Sequence, residues 1–97
     1  MKIYSDFAKT KEIKGDLDLG VVQVGETKAI TFYILNDSEA TLTDLVFSIN
    51  NKEVKIISAP KILLSGQTDK LVINYTPDIS IEKKLNVSLN IGGIKLI

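Results

Sequence analysis

The chain has 97 residues with 12 Lys+Arg against 12 Asp+Glu, a formal net charge of zero and 44% hydrophobic residues. That length holds one hydrophobic core rather than two, and the mixture is that of a folding globular chain rather than a disordered one. Every cation is a lysine. With no arginine fork and no basic excess, the charge speaks against a nucleic-acid reader.

Cysteine and histidine are both absent. Disulfides, thiolate metal sites, Ser-His-Asp triads and Cys-His pairs are therefore excluded, and the commonest general base goes with them. The N-terminal segment has no continuous apolar stretch of the signal-peptide kind, so the expectation is a protein made in the cytoplasm without a signal peptide. Its longest apolar runs are too short for membrane insertion by a helix.

Residues 1–15 are the least regular part. Ile3, Tyr4 and Phe7 are apolar, diluted by Lys2, Asp6, Lys9, Lys11, Glu12 and Lys14. Two readings stand side by side: an opening edge strand whose lysines discourage edge pairing, or an N-terminal extension whose Ile3, Tyr4 and Phe7 bind a partner. The domain proper spans residues 16–97.

From residue 16, Leu17 and Leu19 alternate with Asp16 and Asp18, Gly20 permits a bend, and Gly25-Glu26 makes a turn. Residues 28–35 then alternate almost without a break: Ile30, Phe32 and Ile34 point one way, Ala29, Thr31 and Tyr33 the other. A period of two over this length predicts a half-buried strand. Asn36, Asp37, Ser38 and Glu39 are turn formers. Leu45, Phe47 and Ile49 give a further strand, with Phe32 and Phe47 both expected in the core. Val54 and Ile56 give a short strand, and Pro60 a crossing.

Residues 62–64, a turn at Ser65-Gly66-Gln67 and a strand over 70–76 follow, with Leu71, Ile73 and Tyr75 on one face and Pro77 ending the strand. Residues 78–82 read as a loop. Residues 84–91 read as a strand with Leu85, Val87, Leu89 and Ile91 aligned. Gly92-Gly93 has the composition of a tight hairpin turn, after which the last strand pairs back. About seven short strands at regular spacing, and no helical periodicity, predict an all-β antiparallel sandwich of the immunoglobulin-like class, with a small barrel as the alternative.

Asp18-Leu19-Gly20, Val24-Gly25-Glu26 and the alternating positions that end in Asn36 resemble the opening of immunoglobulin-like domains of the abnormal-spindle/hydin (ASH) and major-sperm-protein group. Pro60, the turn Ser65-Gly66 and the strand from Leu71 to Pro77 are similar to the second half of such domains, with Ser65 where the group often has proline. The resemblance covers residues 16–97. It implies a non-catalytic adhesive module of the sort found in cytoskeletal, ciliary and surface proteins and, in similar form, on phage particles. It carries over no functional residues, because the matching positions are structural.

The carboxylates Asp16, Asp18, Asp37, Glu39 and Asp44 fall at turns and strand ends, where solvation is the ordinary state; neither an acid/base pair nor a calcium loop is indicated by their spacing. Three Asn-X-Ser/Thr sequons, at Asn36, Asn74 and Asn86, matter only in a secretory pathway. No catalytic, cofactor-binding or metal residue is expected, and the protein is not read as an enzyme. The leading expectation is a structural or adhesive subunit attached to a larger protein assembly, with a virion decoration or tail accessory role as the specific form and an oligomer within the assembly left open. The alternative is a cellular immunoglobulin-like binding module that takes a filament or peptide at a sheet edge.

Overall fold

A computed structural model describes residues 1–20, 22–77, 86–87 and 89–96. Its described residues are all strand and turn, with every strand pairing antiparallel. The predicted loop over 78–82 and Leu85 lie outside the described residues.

The strands are β1 (Lys2–Tyr4), β2 (Leu17–Asp18), β3 (Lys28–Leu35), β4 (Leu42–Thr43), β5 (Val46–Ile49), β6 (Val54–Ser58), β7 (Thr68–Tyr75), β8 (Asn86–Val87), β9 (Leu89–Gly92) and β10 (Lys95–Leu96). Four of them form one sheet in the order β1-β3-β7-β6, and the others pair as β2 with β8, β4 with β10 and β5 with β9. The strand predicted over Leu45, Phe47 and Ile49 is β5; the short β4 ahead of it is not among the predicted strands and is set off from it at Asp44, whose φ of 57° is incompatible with extended backbone.

β3 and β7 run side by side over their full lengths, with Phe32 opposite Leu71, Ile30 opposite Ile73 and Tyr33 opposite Lys70. Strand alternation sorts these residues between two faces. Ile34, Phe32, Leu71, Ile73 and Tyr75 are buried on the inner face, where Val54 and the half-buried Ile3, Ile30 and Ile56 join them. The same core takes in Leu17, Leu19, Leu42, Leu45 and Leu63 from outside that sheet, with Phe47, Ile49, Leu89 and Ile91 partly buried against it. Burying one such side chain stabilises the fold by about 1.5–3 kcal/mol. This shared cluster is what gathers the two-stranded pairs onto the larger sheet.

Phe32 is 3% exposed whereas Phe47 is only half-buried, so the two phenylalanines expected in the core are not equivalent. The end of the chain also departs from the expected hairpin. Only Gly93 of the Gly-Gly pair has a positive φ, 65°, and the strand after it pairs with β4. A Cβ on Gly93 would stand 2.5 Å from the Asp44 carbonyl oxygen, so glycine here serves a close backbone approach.

Asn36 is fully buried and ties several turns together. Its Nδ2 donates to the carbonyls of Ala40 and Leu63 at 2.8 and 2.9 Å, and its Oδ1 accepts from the N–H and hydroxyl of Ser38. Its own N–H donates to Gln67 O and its carbonyl accepts from Gly66 N. Ser65, where the resembled group often has proline, donates its hydroxyl to Ser38 O at 2.7 Å and anchors the 65–67 turn by that route.

Candidate partner-binding surface

The first fifteen residues fold onto the sheet. β1 pairs with β3 through Lys2–Leu35, Ile3–Ile34 and Tyr4–Tyr33, and on its far side Tyr4 bridges Glu12 while Ile13 N donates to Ile3 O at 2.7 Å. Residues 5–11 form the closed loop between these two arms. Asp6 organises it: its carboxylate accepts from Thr10 N, Lys11 N and the Thr10 hydroxyl, while Lys9 turns the chain with a φ of 59°. The Thr10 hydroxyl, with the Lys11 and Thr10 N–H groups, holds the Asp6 carboxyl below its ordinary pKa.

This loop presents Phe7 above the outer face of the sheet. Phe7 is 78% exposed, yet its ring stands edge-on to Tyr33 at a centroid distance of 5.7 Å. Lys9 Nζ reaches across to Thr68 Oγ1 on β7 at 3.2 Å. Between loop and sheet lies an open groove of about 510 Å³ lined by Phe7, Ala8, Lys9, Tyr33, Thr68, Asp69 and Lys70. Aromatic side chains are enriched at the centres of protein interfaces, which makes Phe7 and Tyr33 candidates for contact with a partner.

Of the three partner-binding residues expected from the sequence, Tyr4 and Phe7 lie on the outer face of the sheet and Ile3 on the inner one. Ile3 packs against the core, whereas Tyr4 is half-buried on the opposite face of β1, beside Tyr33, over which Phe7 projects from the loop. Of the surface's other residues, Tyr33 carries a signal in the sequence: it is an aromatic at an outward position between Phe32 and Ile34. Lys9, Thr68 and Lys70 carry none, since only the β3–β7 register and the loop bring them to Tyr33.

A second exposed apolar surface combines Val46 and Ile62, 58% and 54% exposed, in a groove with Thr43, Asp44, Leu45 and Lys61. No aromatic is among the residues that line it.

The aspartates weighed as ligands have local roles. Asp18 Oδ1 accepts from Gly20 N at 2.9 Å, and Asp37 Oδ1 pairs with the Met1 ammonium at 2.7 Å. The hydrogen bond and charge of that ammonium hold the Asp37 carboxyl below its ordinary pKa. Among the described residues no three acids converge on a common point that could hold a metal ion.

Compared with known protein families, with curated proteins and with solved structures, the chain matches none, so the resemblance to the ASH and major-sperm-protein group rests on the residues that carry it.

Proposed function

We propose that this chain is a non-catalytic adhesive module, an immunoglobulin-like β-sandwich of the ASH type, that attaches to a larger protein assembly through the outer face of its β1-β3-β7-β6 sheet. The observation that carries the reading is Phe7: a large apolar side chain held 78% exposed by a loop that spends an aspartate, a threonine and two backbone N–H groups on its own shape. An aromatic left in water on an ordered support is suited to transfer its surface to a partner. The core drawn from both the four-stranded sheet and the smaller pairs supports the sandwich reading. The arginine-free, cysteine-free composition rich in Ile and Lys suits an AT-rich microbial or viral genome, and the specific form of the proposal is a virus particle whose capsid or tail the module decorates.

Docking by a sheet edge draws less support. Residues 12–13 pair along the outer side of β1, and β6, at the other end of the sheet, is bulged between Ile56 and Ser58. Both features blunt an edge against strand addition.

Sedimentation with large particles from cells that make the protein tests the reading. The parent chain is expected in the pellet, and Phe7→Ala in the supernatant with an unchanged thermal midpoint. Equal pelleting of both would overturn attachment through this face.

A further inference from the structure

The groove beside Phe7 has a charge character that the neutral chain as a whole does not. Register places Tyr4, Tyr33 and Lys70 in one row across the outer face, and Lys2, Leu35 and Thr68 in the next. Lys9 comes over from the loop to the same place. The acids at this end already have local partners: Asp6 holds the loop, Asp69 Oδ1 accepts from Lys70 N at 2.7 Å, Asp37 pairs with the Met1 ammonium, and Glu12 Oε2 lies 3.8 Å from Lys14. After the Met1 ammonium, Lys2 also lies close enough to Asp37 to help lower its pKa, and Asp69 keeps its charge at the groove, so Lys9 and Lys70 face one acid there. Lys9 donates to a neutral hydroxyl, and among the described residues neither Lys2 nor Lys70 makes a salt bridge.

We infer that the partner segment received by this face is acidic: an extended stretch of protein that sets an apolar or aromatic side chain against Phe7 and Tyr33 and carboxylates against Lys2, Lys9 and Lys70. This rests on the attachment reading above and adds to it the chemistry of the partner. The aromatics supply the buried contact, and the lysines supply orientation and discrimination against basic segments. A lysine ammonium needs no fixed geometry, so the face selects charge rather than one planar group. The strand rows also suit an extended chain, whose alternate side chains fall on one side.

The test uses the full chain and a synthetic peptide alternating Glu with Phe, followed by amide chemical shifts and titration calorimetry. Binding is expected to centre on Tyr33, Thr68 and Lys70, to weaken as salt rises, and to be absent for the matching Lys-Phe peptide. Lys70→Glu is expected to weaken it about tenfold or more, whereas Lys61→Glu, in the Val46–Ile62 groove, leaves it unchanged. Equal binding of the Lys-Phe peptide, indifference to Lys70→Glu, or tighter binding of an oligodeoxythymidylate would overturn the inference. Loss of pelleting in Phe7→Ala without any binding of the acidic peptide would sink the acidic partner and leave attachment standing. Lys70-dependent peptide binding with normal pelleting of Phe7→Ala would do the reverse.

Discussion

At the scale of single residues, two polar side chains carry structural work out of proportion to their size. Asn36 meets its hydrogen-bonding needs entirely inside the protein, joining the end of β3 to Ala40, Leu63 and the 65–67 turn. Asp6 does the same at the surface for the loop that holds Phe7. Because the Asp6 carboxyl is held below its ordinary pKa, its ionised form is bound more tightly in the folded loop than in the unfolded chain. Its contribution is therefore present above the unfolded value, about pH 4, and fades as pH falls through the lowered folded one. An NMR titration is expected to show the Thr10 and Lys11 amide shifts moving below about pH 4, together with the Phe7 ring signals. Constant Phe7 signals through that titration would mean that Asp6 does not position the ring.

At the scale of elements, β1 belongs to the sheet. Ile3 lies opposite Ile34 and packs on the core, and β1 with residues 12–13 covers the flank of β3. Removing residues 1–15 would leave the long β3 strand with unpaired N–H and C=O groups, a template for association. The truncated chain is expected to melt lower by at least about 4–8 °C, the shift that about 1 kcal/mol produces in a chain of this size. It is also expected to associate with rising concentration in light scattering. An unchanged midpoint and a monodisperse monomer would show that the segment is dispensable for folding. The alternation over residues 28–35 made β3 readable in the sequence, because one dominant period needs no information from elsewhere in the chain. The short β4, set off from β5 at Asp44, and its pairing with β10 were not readable. They depend on a positive φ and on the backbone approach at Gly93, neither of which leaves a periodic trace.

At the scale of the whole molecule, one core joins the four-stranded sheet to the smaller pairs, and depth within it separates residues with similar sequence surroundings. Phe32 and Phe47 both sit at apolar positions of alternating segments, but Phe32 is 3% exposed and Phe47 half-buried. Phe32→Ala is expected to cost about 3–5 kcal/mol in urea unfolding, and Phe47→Ala clearly less, since part of its ring already meets water. Equal costs would mean that Phe47 is as deeply packed as Phe32 in solution. The same scale decides the candidate surface: Phe7, Tyr33 and the β7 pair Thr68 and Lys70 are far apart along the chain and meet only because β1 and β7 flank β3 on either side.

The sequence by itself determined what depends on residue type and local period. Absent histidine and cysteine removed whole classes of chemistry, the balance of lysines and acids argued against a basic binding face over the chain as a whole, and period-two alternation established antiparallel β structure with Ile34, Leu71 and Ile73 inside. Tertiary structure alone decided which exposed residues become neighbours. Strand register placed Tyr33 beside Lys70, loop closure by Asp6 carried Phe7 over them, and together they brought Lys9 and Lys70, with Asp69, to one groove on a neutral chain. Local pattern follows from the side chains' own preferences, whereas these juxtapositions follow from long-range pairing that no short window of sequence contains.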